Sequence, residues 1–510
     1  MTNHSMPQFP EAYWLQNTGL STYPKLQEDI DTEVAIIGGG MTGITSAYLL
    51  AKEGKKVVLL EAGRILNGTT GHTTAKLTAQ HGLIYDELLS HFGKEQTQAY
   101  YQANAEAMKF VRDLVNQQQI DCDFSVEDAY LFTNSQQEMQ KLINEYEAYE
   151  KLGITEREYK TSMPIPVEAK AAVVMRNQAQ FHPVKYLRHL VEEFTKLGGT
   201  IYEHTTAVDI EEGNKPRVTT RDGFKVSCQH MIVCSHTPFY DVKGFYFSRL
   251  SISRSYVLAV KTEQEFPGGM YINVEQPTRS LRYTEMNGER LVLFSGDRHK
   301  TGHDKNTHQH YEALEDFAEK TFGIKEIPYR WSAQDPATLD KIPYIGNYSA
   351  TLSNIYVATG YRKWGMTNST NAARLMTDLI LERDNPYKDV FDPSRFHADP
   401  DVKKFISVNA QVAKELVKGK LELPSVRPEE LKNNEGAAVL INGERAGAYR
   451  DENGELHLVD TTCTHMGCEL EWNNGDRSWD CPCHGSRFSY QGEVLDGPAE
   501  LPLKRISENG

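Results

Sequence analysis

A glycine-rich turn near the N-terminal end constrains the fold of this chain more than any other feature. The apolar run Val34–Ile37 is followed at once by three consecutive glycines, and a fourth follows at Gly43. Glycines of this kind let a strand pass through a tight turn into a helix, where backbone can approach a phosphate closely. A helical stretch, Met41–Glu53, then leads to a second apolar run, Lys56–Glu61. This βαβ unit predicts a parallel sheet, and the acidic side chain of Glu61 stands where ribose hydroxyls are bound in dinucleotide sites.

A second redox pattern lies near the other end of the chain. Cys463-Thr-His465 is followed fifteen residues later by Cys481-Pro-Cys-His484. Two thiolates on one iron and two imidazoles on the other form the ligand set of a mixed-ligand [2Fe–2S] cluster. Two cysteines and two histidines also bind zinc, but the short first spacing and the additional cysteines favour the cluster. These four residues are the predicted metal ligands.

Two further cysteines, Cys468 and Cys483, lie one in each ligand segment. Ligands from both segments on one cluster would bring these cysteines together, so a disulfide between them is expected. A pair of reduced structural thiols is the alternative.

The composition of the chain limits which kinds of partner it can bind. The 510 residues are 39% hydrophobic and 25% charged, and the formal net charge is −15. Such a chain forms several globular domains, and its negative charge disfavours nucleic acid and anionic membranes as partners. The first ten residues lack a signal-peptide pattern, and no apolar run approaches the roughly 18 residues of a membrane span. A cytoplasmic location is therefore expected.

Periodicity predicts alternating helices and strands, followed by a small β-rich module. Antiparallel strands are predicted across residues 250–300, and short strands with Gly, Asn and Asp turns follow Gly436. The other predicted elements are helices at Ile84–Gln119, Gln136–Leu152, Tyr186–Leu197, Thr370–Leu381 and Val402–Val417, and strands at Thr200–Glu203, Met231–Cys234 and Asn354–Thr359.

Over residues 31–385 the chain resembles the D-amino-acid oxidase/glycine oxidase superfamily of flavoproteins. The matching segments are Gly38–Gly43, Glu61–Arg64, Phe181–Pro183 with Gly198–Tyr202, and Thr338–Thr367. The resemblance implies an α/β, Rossmann-like FAD-binding domain with an interleaved α+β substrate domain. It implies that FAD contacts Gly38, Gly40, Met41, Thr42, Gly43, Glu61, Arg64, Thr70, His72, Thr74, Val208, Gly346, Gly360, Gly365, Met366 and Thr367.

Two segments are informative about chemistry. Amino-acid-oxidising relatives carry an arginine that clamps the substrate carboxylate where this chain has Asp335. An acid there would attract a cation, so the substrate is an amine without a nearby carboxylate, or Asp335 is a turn residue before a proline. Tyr256, Arg254 and Trp364 are the other candidate pocket residues, with ordinary packing as the alternative for each.

The segment Gly68–Ala75 resembles the one whose histidine bonds covalently to flavin in dimethylglycine and sarcosine dehydrogenases. His72 is thus a candidate for covalent attachment. Noncovalent FAD lined by Thr70 and Thr74 is the alternative.

The C-terminal segment resembles the Rieske proteins of quinol-oxidising respiratory complexes. Ser486 matches the hydroxyl that bonds to cluster sulfur, whereas Phe488 replaces an expected aromatic hydroxyl. Losing that hydrogen bond should keep the potential below the top of the roughly −150 to +300 mV Rieske range. Gly497-Pro-Ala resembles the loop that covers the cluster. A small all-β Rieske domain is therefore predicted.

The predicted domains are an N-terminal lead (1–30), an FAD-dependent oxidoreductase (31–395), a linker (396–430) and the Rieske domain (431–510). Within the oxidoreductase, the FAD-binding parts are about 31–80, 176–240 and 331–385, and the substrate-domain parts are about 81–175 and 241–330.

These features predict a flavin-dependent dehydrogenase with FAD and a [2Fe–2S] cluster. An amine or amino acid would transfer hydride to FAD from the carbon beside nitrogen, and electrons would leave singly through the cluster. The external acceptor would be a ferredoxin-like protein or a quinone.

Three alternatives remain open. A reductase component serving another enzyme would need an NAD(P)H site, but no second glycine fingerprint is present, and a redox sensor would need no substrate. A Rieske oxygenase would need a second iron site, for which the nearest candidates lie in a segment read as a polar loop: His303, Asp304, His308, His310 and Glu312.

Overall fold

The computed structural model describes residues 5–16, 18–240, 244–395, 401–422 and 424–507. The start of the predicted lead (1–4), parts of the predicted linker (396–400 and 423) and the last three residues lie outside the described residues.

A six-stranded sheet carries the predicted βαβ unit. Its strand order is β18-β19-β12-β2-β3-β8, and all neighbours are parallel except the pair β18 and β19. These strands are β2 (Val34–Ile37), β3 (Val57–Leu60), β8 (Thr200–Tyr202), β12 (His230–Val233), β18 (Tyr344–Ser349) and β19 (Leu352–Thr359). Helix α1 (Met41–Lys52) packs against α4 (Pro183–Lys196) and α7 (Gly365–Ile380). Because strand β2 is buried along its whole length, its continuous apolar run is the pattern expected of a central parallel strand.

A second, four-stranded sheet has the strand order β1-β11-β10-β9. Its strands are β1 (Ile30–Asp31), β9 (Ala207–Glu211), β10 (Arg217–Thr220) and β11 (Lys225–Ser227).

A nine-stranded mixed sheet forms the second layer of the oxidoreductase, in the order β17-β13-β16-β15-β14-β5-β7-β4 with β6 paired to β7. Its strands are β4 (Lys76–Leu77), β5 (Ser125–Thr133), β6 (Arg157–Lys160), β7 (Ala171–Gln180), β13 (Leu250–Thr262), β14 (Met270–Asn273), β15 (Arg279–Met286), β16 (Glu289–Lys300) and β17 (Ile324–Thr338). The remaining helices of the oxidoreductase are α2 (Tyr85–Gln118), α3 (Met139–Lys151), α5 (Tyr246–Arg249), α6 (His308–Phe322) and α8 (Lys388–Phe391).

The C-terminal part consists of one helix and two small antiparallel sheets. Helix α9 (Lys403–Leu421) precedes the sheets β20-β21-β22 and β23-β24-β25-β26. Their strands are β20 (Glu435–Ile441), β21 (Glu444–Arg450), β22 (Leu456–Val459), β23 (Glu471–Asn473), β24 (Ser478–Asp480), β25 (Arg487–Ser489) and β26 (Val494–Asp496). The fold class predicted from the sequence, an α/β domain with an interleaved sheet domain and a small all-β domain, is confirmed.

Several helix boundaries differ from the prediction: α3 begins at Met139 instead of Gln136, α4 begins at Pro183 instead of Tyr186, and α9 ends at Leu421 instead of Val417. Helix α7 begins at Gly365 instead of Thr370, because its first turn contains residues of low helix propensity whose burial against the core stabilises it. Helix α2 is interrupted at Gly93, whose φ of 74° is not helical. None of the helices within the described ranges combines the length and apolarity needed to cross a membrane.

Candidate functional site

A cavity of about 700 Å³ lies at the carboxyl ends of β2 and β3. Its walls come from the glycine turn, from strands of the nine-stranded sheet, from the loop before α7 and from residues 493–500. The three parts of the fold therefore meet at one cavity.

The glycine turn is built for close backbone approach. Gly38 has a φ of 113°, and a Cβ there would lie 2.5 Å from the carbonyl oxygen of Cys234. A Cβ on Gly43 would collide with the carbonyl oxygen of Gly38. Gly40 provides no side-chain cap to α1, and the backbone N–H of Met41 donates to the hydroxyl of Thr70 at 3.0 Å. This helix N-terminus lines the cavity, where its positive end would stabilise a pyrophosphate.

Glu61 organises this turn and lines the cavity. Its two carboxylate oxygens accept hydrogen bonds from the backbone N–H groups of Gly39 at 2.7 Å and Gly63 at 2.8 Å. Burial raises the pKa of the Glu61 carboxyl, and these hydrogen bonds oppose that rise. The cavity volume, the cradle of glycines and the helix N-terminus at the cavity together fit FAD.

Most residues expected to contact FAD line this cavity. They are Gly38, Gly40, Met41, Thr42, Glu61, Arg64, Thr70, His72, Thr74, Gly365 and Met366.

Five expected contacts are not among the residues that line it. Gly43 packs behind the turn, and Val208 follows the lining residue Ala207 on β9. Gly346 abuts Pro393, and a Cβ on Gly360 would collide with Thr338. Thr367 is turned toward His81, whose Nε2 lies 3.0 Å from its hydroxyl.

The ring of His72 lines the cavity, and burial lowers its pKa. Its Nδ1 lies 2.9 Å from the carbonyl oxygen of Gly68. Because a carbonyl only accepts, Nδ1 carries the proton and Nε2 keeps the free lone pair.

Strand β13 presents alternate residues to the cavity. Ser255 and Val257 line it, whereas Arg254 and Tyr256 do not. Successive side chains of a strand point to opposite faces, so the two candidates chosen from the sequence are one residue out of phase with the cavity.

Arg254 and Tyr256 both form hydrogen bonds away from the cavity. The Nε of Arg254 donates to a carboxylate oxygen of Asp476 at 2.7 Å, with both side chains at most 5% exposed. The hydroxyl of Tyr256 lies 2.9 Å from Nε2 of His299. Arg254 is therefore an interface residue between the oxidoreductase and the C-terminal domain.

Asp335 lies within β17 and lines the cavity, so it is not a turn residue. Burial raises the pKa of its carboxyl, and the charge of Lys363 opposes the rise. The pKa of Lys363 is lowered to about 8 by burial, with Asp335 acting in the opposite direction. A carboxylate and a lysine that line the same cavity favour a polar ligand.

The loop before α7 stores backbone strain beside this pair. Arg362 and Lys363 have φ values of 49° and 71°, in the left-handed region that non-glycine residues avoid. Such strain concentrates at functional sites. Trp364 follows, lines the cavity, and stacks on His81 with ring centroids 5.0 Å apart.

Lys76 is a cavity residue that sequence reasoning missed. Its Nζ donates to the carbonyl oxygen of Tyr271 at 2.9 Å and to the hydroxyl of Ser280. Burial and the nearby charge of Arg282 lower its pKa to about 7. No local motif marks this lysine, because its neighbours come from β14 and β15.

The four predicted cluster ligands lie on two similar loops. The backbone N–H of Gly467 donates to the carbonyl of Cys463 at 2.9 Å, and that of Gly485 donates to Cys481 at 3.1 Å. Both glycines have positive φ, 73° and 77°. Each loop thus folds back on its own cysteine and directs the thiol toward the other loop.

Unpaired groups between these loops fit a metal cluster. Nδ1 of His465 and both ring nitrogens of His484 are buried without a hydrogen-bond partner among the described residues. The ring centroids of the two histidines are 5.1 Å apart. The hydrogen bond between the two thiols lowers the pKa of Cys463 and raises that of Cys481, so Cys463 is the thiol that more readily provides a thiolate for iron. Cys468 and Cys483 are joined in a disulfide.

The residues considered as ligands of an oxygenase iron site do not all lie in the polar loop that the sequence predicts. His308 and His310 belong to the first turn of α6, so helical context is present. His310 pairs with two carboxylates, Asp297 at 3.0 Å and Asp304 at 3.1 Å. Within the described ranges, these histidines and acids do not converge on a common point that could hold a metal ion.

Family comparisons agree with this geometry. A model described as FAD dependent oxidoreductase matches residues 33–379. A model described as Rieske [2Fe-2S] domain matches residues 422–507.

Individual relatives cover the chain to different extents. A Bacillus subtilis protein described as a Rieske 2Fe-2S iron-sulfur protein, YhfW, is 54% identical over 503 residues, 99% of each chain. Gamma-glutamylputrescine oxidoreductase of Escherichia coli is 25% identical over 389 residues, 74% of this chain and 90% of that protein. The crystal structure of glycine oxidase from Geobacillus kaustophilus superimposes with a TM-score of 0.60 at 19% identity, covering 72% of this chain and 99% of that one.

Proposed function

Since the chain belongs to the FAD-dependent oxidoreductase family and carries a C-terminal Rieske [2Fe-2S] domain, we propose that it is an amine dehydrogenase. Its substrate would be an amine or amino acid with a C–H beside nitrogen, and its electrons would leave through the Rieske domain to an external one-electron acceptor. A relative named for gamma-glutamylputrescine supports an amine substrate.

One observation carries the proposal: both cofactor sites share a wall. Ser486, two residues after the ligand His484, accepts a hydrogen bond at 3.0 Å from the backbone N–H of Ala499. Ala499 itself lines the FAD cavity. A short stretch of polypeptide therefore separates the two cofactors, which is the arrangement that direct electron transfer requires.

When bound, FAD supplies two-electron chemistry and the cluster supplies one-electron chemistry. The residues of the chain provide binding and orientation. Asp335 would attract the substrate ammonium, Lys363 would balance that charge in the empty site, and Trp364 would pack against the aliphatic part of the substrate.

An acceptor would approach on the side of His465. Its neighbour Met466 is 49% exposed, whereas His484 is 4% exposed. Phe247 of α5 packs edge-on against both imidazoles, with ring centroids 5.9 Å from His465 and 5.1 Å from His484. The more accessible imidazole is the natural exit for electrons to a ferredoxin-like protein or a quinone.

Anaerobic mixing with secondary, tertiary and polyamine substrates tests the proposal. An amine should bleach the flavin, and the paramagnetic signal of the reduced cluster should follow. Asp335→Asn should raise KM for a cationic amine at least tenfold at unchanged FAD content, because the attracting charge is lost. Asp316→Asn, at an exposed carboxylate 2.5 Å from Lys320, is the matched control.

Two results would count against the dehydrogenase. Flavin bleaching by NADH but by none of the amines would indicate a reductase component. Oxygen consumption equal to substrate, with no benefit from an added acceptor, would indicate an oxidase in which the cluster is not a relay.

A further inference from the structure

The FAD cavity has one wall that does not belong to the oxidoreductase. Residues 493–500 of the Rieske domain line it, together with Arg221 and Thr237 of the oxidoreductase. A Cβ on Gly497 would lie 4.0 Å from the carbonyl oxygen of Thr237, which places the loop across the edge of the six-stranded sheet. The sequence resemblance predicted only that this loop covers the cluster.

We propose that the loop Val494–Glu500 of the Rieske domain is part of the FAD-binding site, and that docking of this domain retains FAD. The loop would then have two faces, one toward the iron–sulfur ligands and one toward the flavin nucleotide. FAD could leave only after the loop moves or the Rieske domain separates.

The loop is tied to both domains along its length. Ala499 donates to Ser486 beside the cluster, and Asp496 accepts a hydrogen bond from Arg487 at 2.9 Å. At its far end, the carbonyl of Glu500 accepts from the guanidinium of Arg221, which is itself a cavity residue. These bonds hold the loop as a fixed wall instead of a free lid.

A buried carboxylate contributes to the docking of the Rieske domain. The carboxylate of Asp476 accepts hydrogen bonds from Arg254 at 2.7 Å, from the Tyr311 hydroxyl at 3.0 Å and from the Ser332 hydroxyl at 2.5 Å. All three donors belong to the oxidoreductase. None of these four residues lines the cavity, so docking can be weakened without touching FAD.

Two variants test the proposal in the full-length holoenzyme. Pro498→Gly loosens the loop, because glycine gains backbone freedom that proline lacks. Tyr311→Phe combined with Ser332→Ala removes two docking hydrogen bonds and leaves every charge in place. Pro502→Gly, at an exposed proline outside the cavity lining, is the matched control.

The measurements are the rate of FAD release into a scavenging apoflavoprotein and the quenching of flavin fluorescence by iodide, with cluster content followed by paramagnetic resonance. The quenching measurement also applies if the flavin is covalently bound. Both test variants should release FAD, or expose it to iodide, at least tenfold more readily than the wild type, while Pro502→Gly behaves as the wild type.

FAD release and quenching at wild-type values in both test variants would overturn the proposal, whether their clusters are intact or lost. These measurements need neither substrate nor electron acceptor. Failure of the proposed amine oxidation would therefore leave this result unchanged, and the two failures are distinguishable.

Discussion

At the scale of single residues, the surroundings of the cluster ligands set the reduction potential. Ser486 supplies a hydroxyl beside the ligands, whereas Phe488 is fully buried and supplies none. Lys300, from strand β16 of the oxidoreductase, brings a further charge. Its Nζ is buried without a hydrogen-bond partner among the described residues. Burial lowers the pKa of Lys300, and the charges of Glu415 and Cys481 oppose that lowering.

We expect Lys300→Met to lower the midpoint potential of the cluster. A positive charge near Cys481 favours the reduced cluster, which carries one more negative charge than the oxidised form. The expected shift is about 60 mV, a tenfold change in a one-electron equilibrium. Spectroelectrochemical titration measures it.

The matched control is Lys305→Met, at an exposed lysine 3.0 Å from the carboxylate of Glu422. It should leave the potential unchanged. Equal potentials in the wild type and Lys300→Met would show that Lys300 does not influence the cluster.

At the scale of elements, the turn between β2 and α1 decides whether FAD binds. Its two outer glycines touch, since the position of a Gly43 Cβ is already occupied by the Gly38 carbonyl oxygen. Helix α1 can approach β2 only because both side chains are absent. This close approach brings the N-terminal amides of α1 to the cavity.

Gly43→Ala should therefore weaken FAD binding by at least tenfold, because the methyl group pushes α1 away from the turn. Equilibrium dialysis of FAD measures the loss. The paramagnetic signal of the cluster is the internal control and should persist, since none of the four predicted cluster ligands belongs to the glycine turn. FAD affinity equal to that of the wild type would contradict this account of the turn.

At the scale of the whole molecule, two arginines, Arg330 and Arg477, join the N-terminal lead to the Rieske domain. The guanidinium of Arg330 donates to the carbonyl oxygens of Pro7 and Gln8, both at 2.7 Å, and to that of Gly475 at 2.9 Å. The guanidinium of Arg477 lies 3.4 Å above the ring of Phe9. The first residues of the chain thus stabilise the contact between domains that are distant in sequence.

Asp476→Asn should destabilise this assembly by about 3 kcal/mol, the usual cost of removing one partner from a buried ion pair. Burial acts to raise the pKa of Asp476, but Arg254 and Arg487 outweigh it and hold this pKa well below its usual range. The stabilisation is therefore fully present above the unfolded-state pKa of about 4 and is lost only as the pH falls further. Calorimetry at neutral pH measures the change.

Glu430→Gln is the control, because it removes one carboxylate charge from an ion pair that is exposed instead of buried. Glu430 pairs with Arg427 at 2.7 Å, but the two side chains are 49% and 77% exposed, so its loss should cost about 0–1 kcal/mol. Equal unfolding temperatures for the two variants would show that the buried carboxylate does not hold the domains together.

Local patterns in the sequence were sufficient for the fold class and both cofactors. An apolar run before a glycine turn brings the residues of a nucleotide site together within a few tens of residues, and two cysteine–histidine segments do the same for a metal site. Within so short a stretch, backbone geometry allows few arrangements of these residues. For the same reason the turn at Gly38, the acid at Glu61 and the paired loops at Cys463 and Cys481 were found without a structure.

Only the tertiary structure decided how the parts face one another. The choice between Ser255 and Arg254 as a cavity residue depends on which face of β13 meets the cavity, and alternation alone does not say which. The docking of Asp476 and the entry of Gly497 into the FAD cavity depend on single residues from remote segments. Such contacts leave no periodic signature, because their energy comes from burial and charge pairing that exist only once the domains have met.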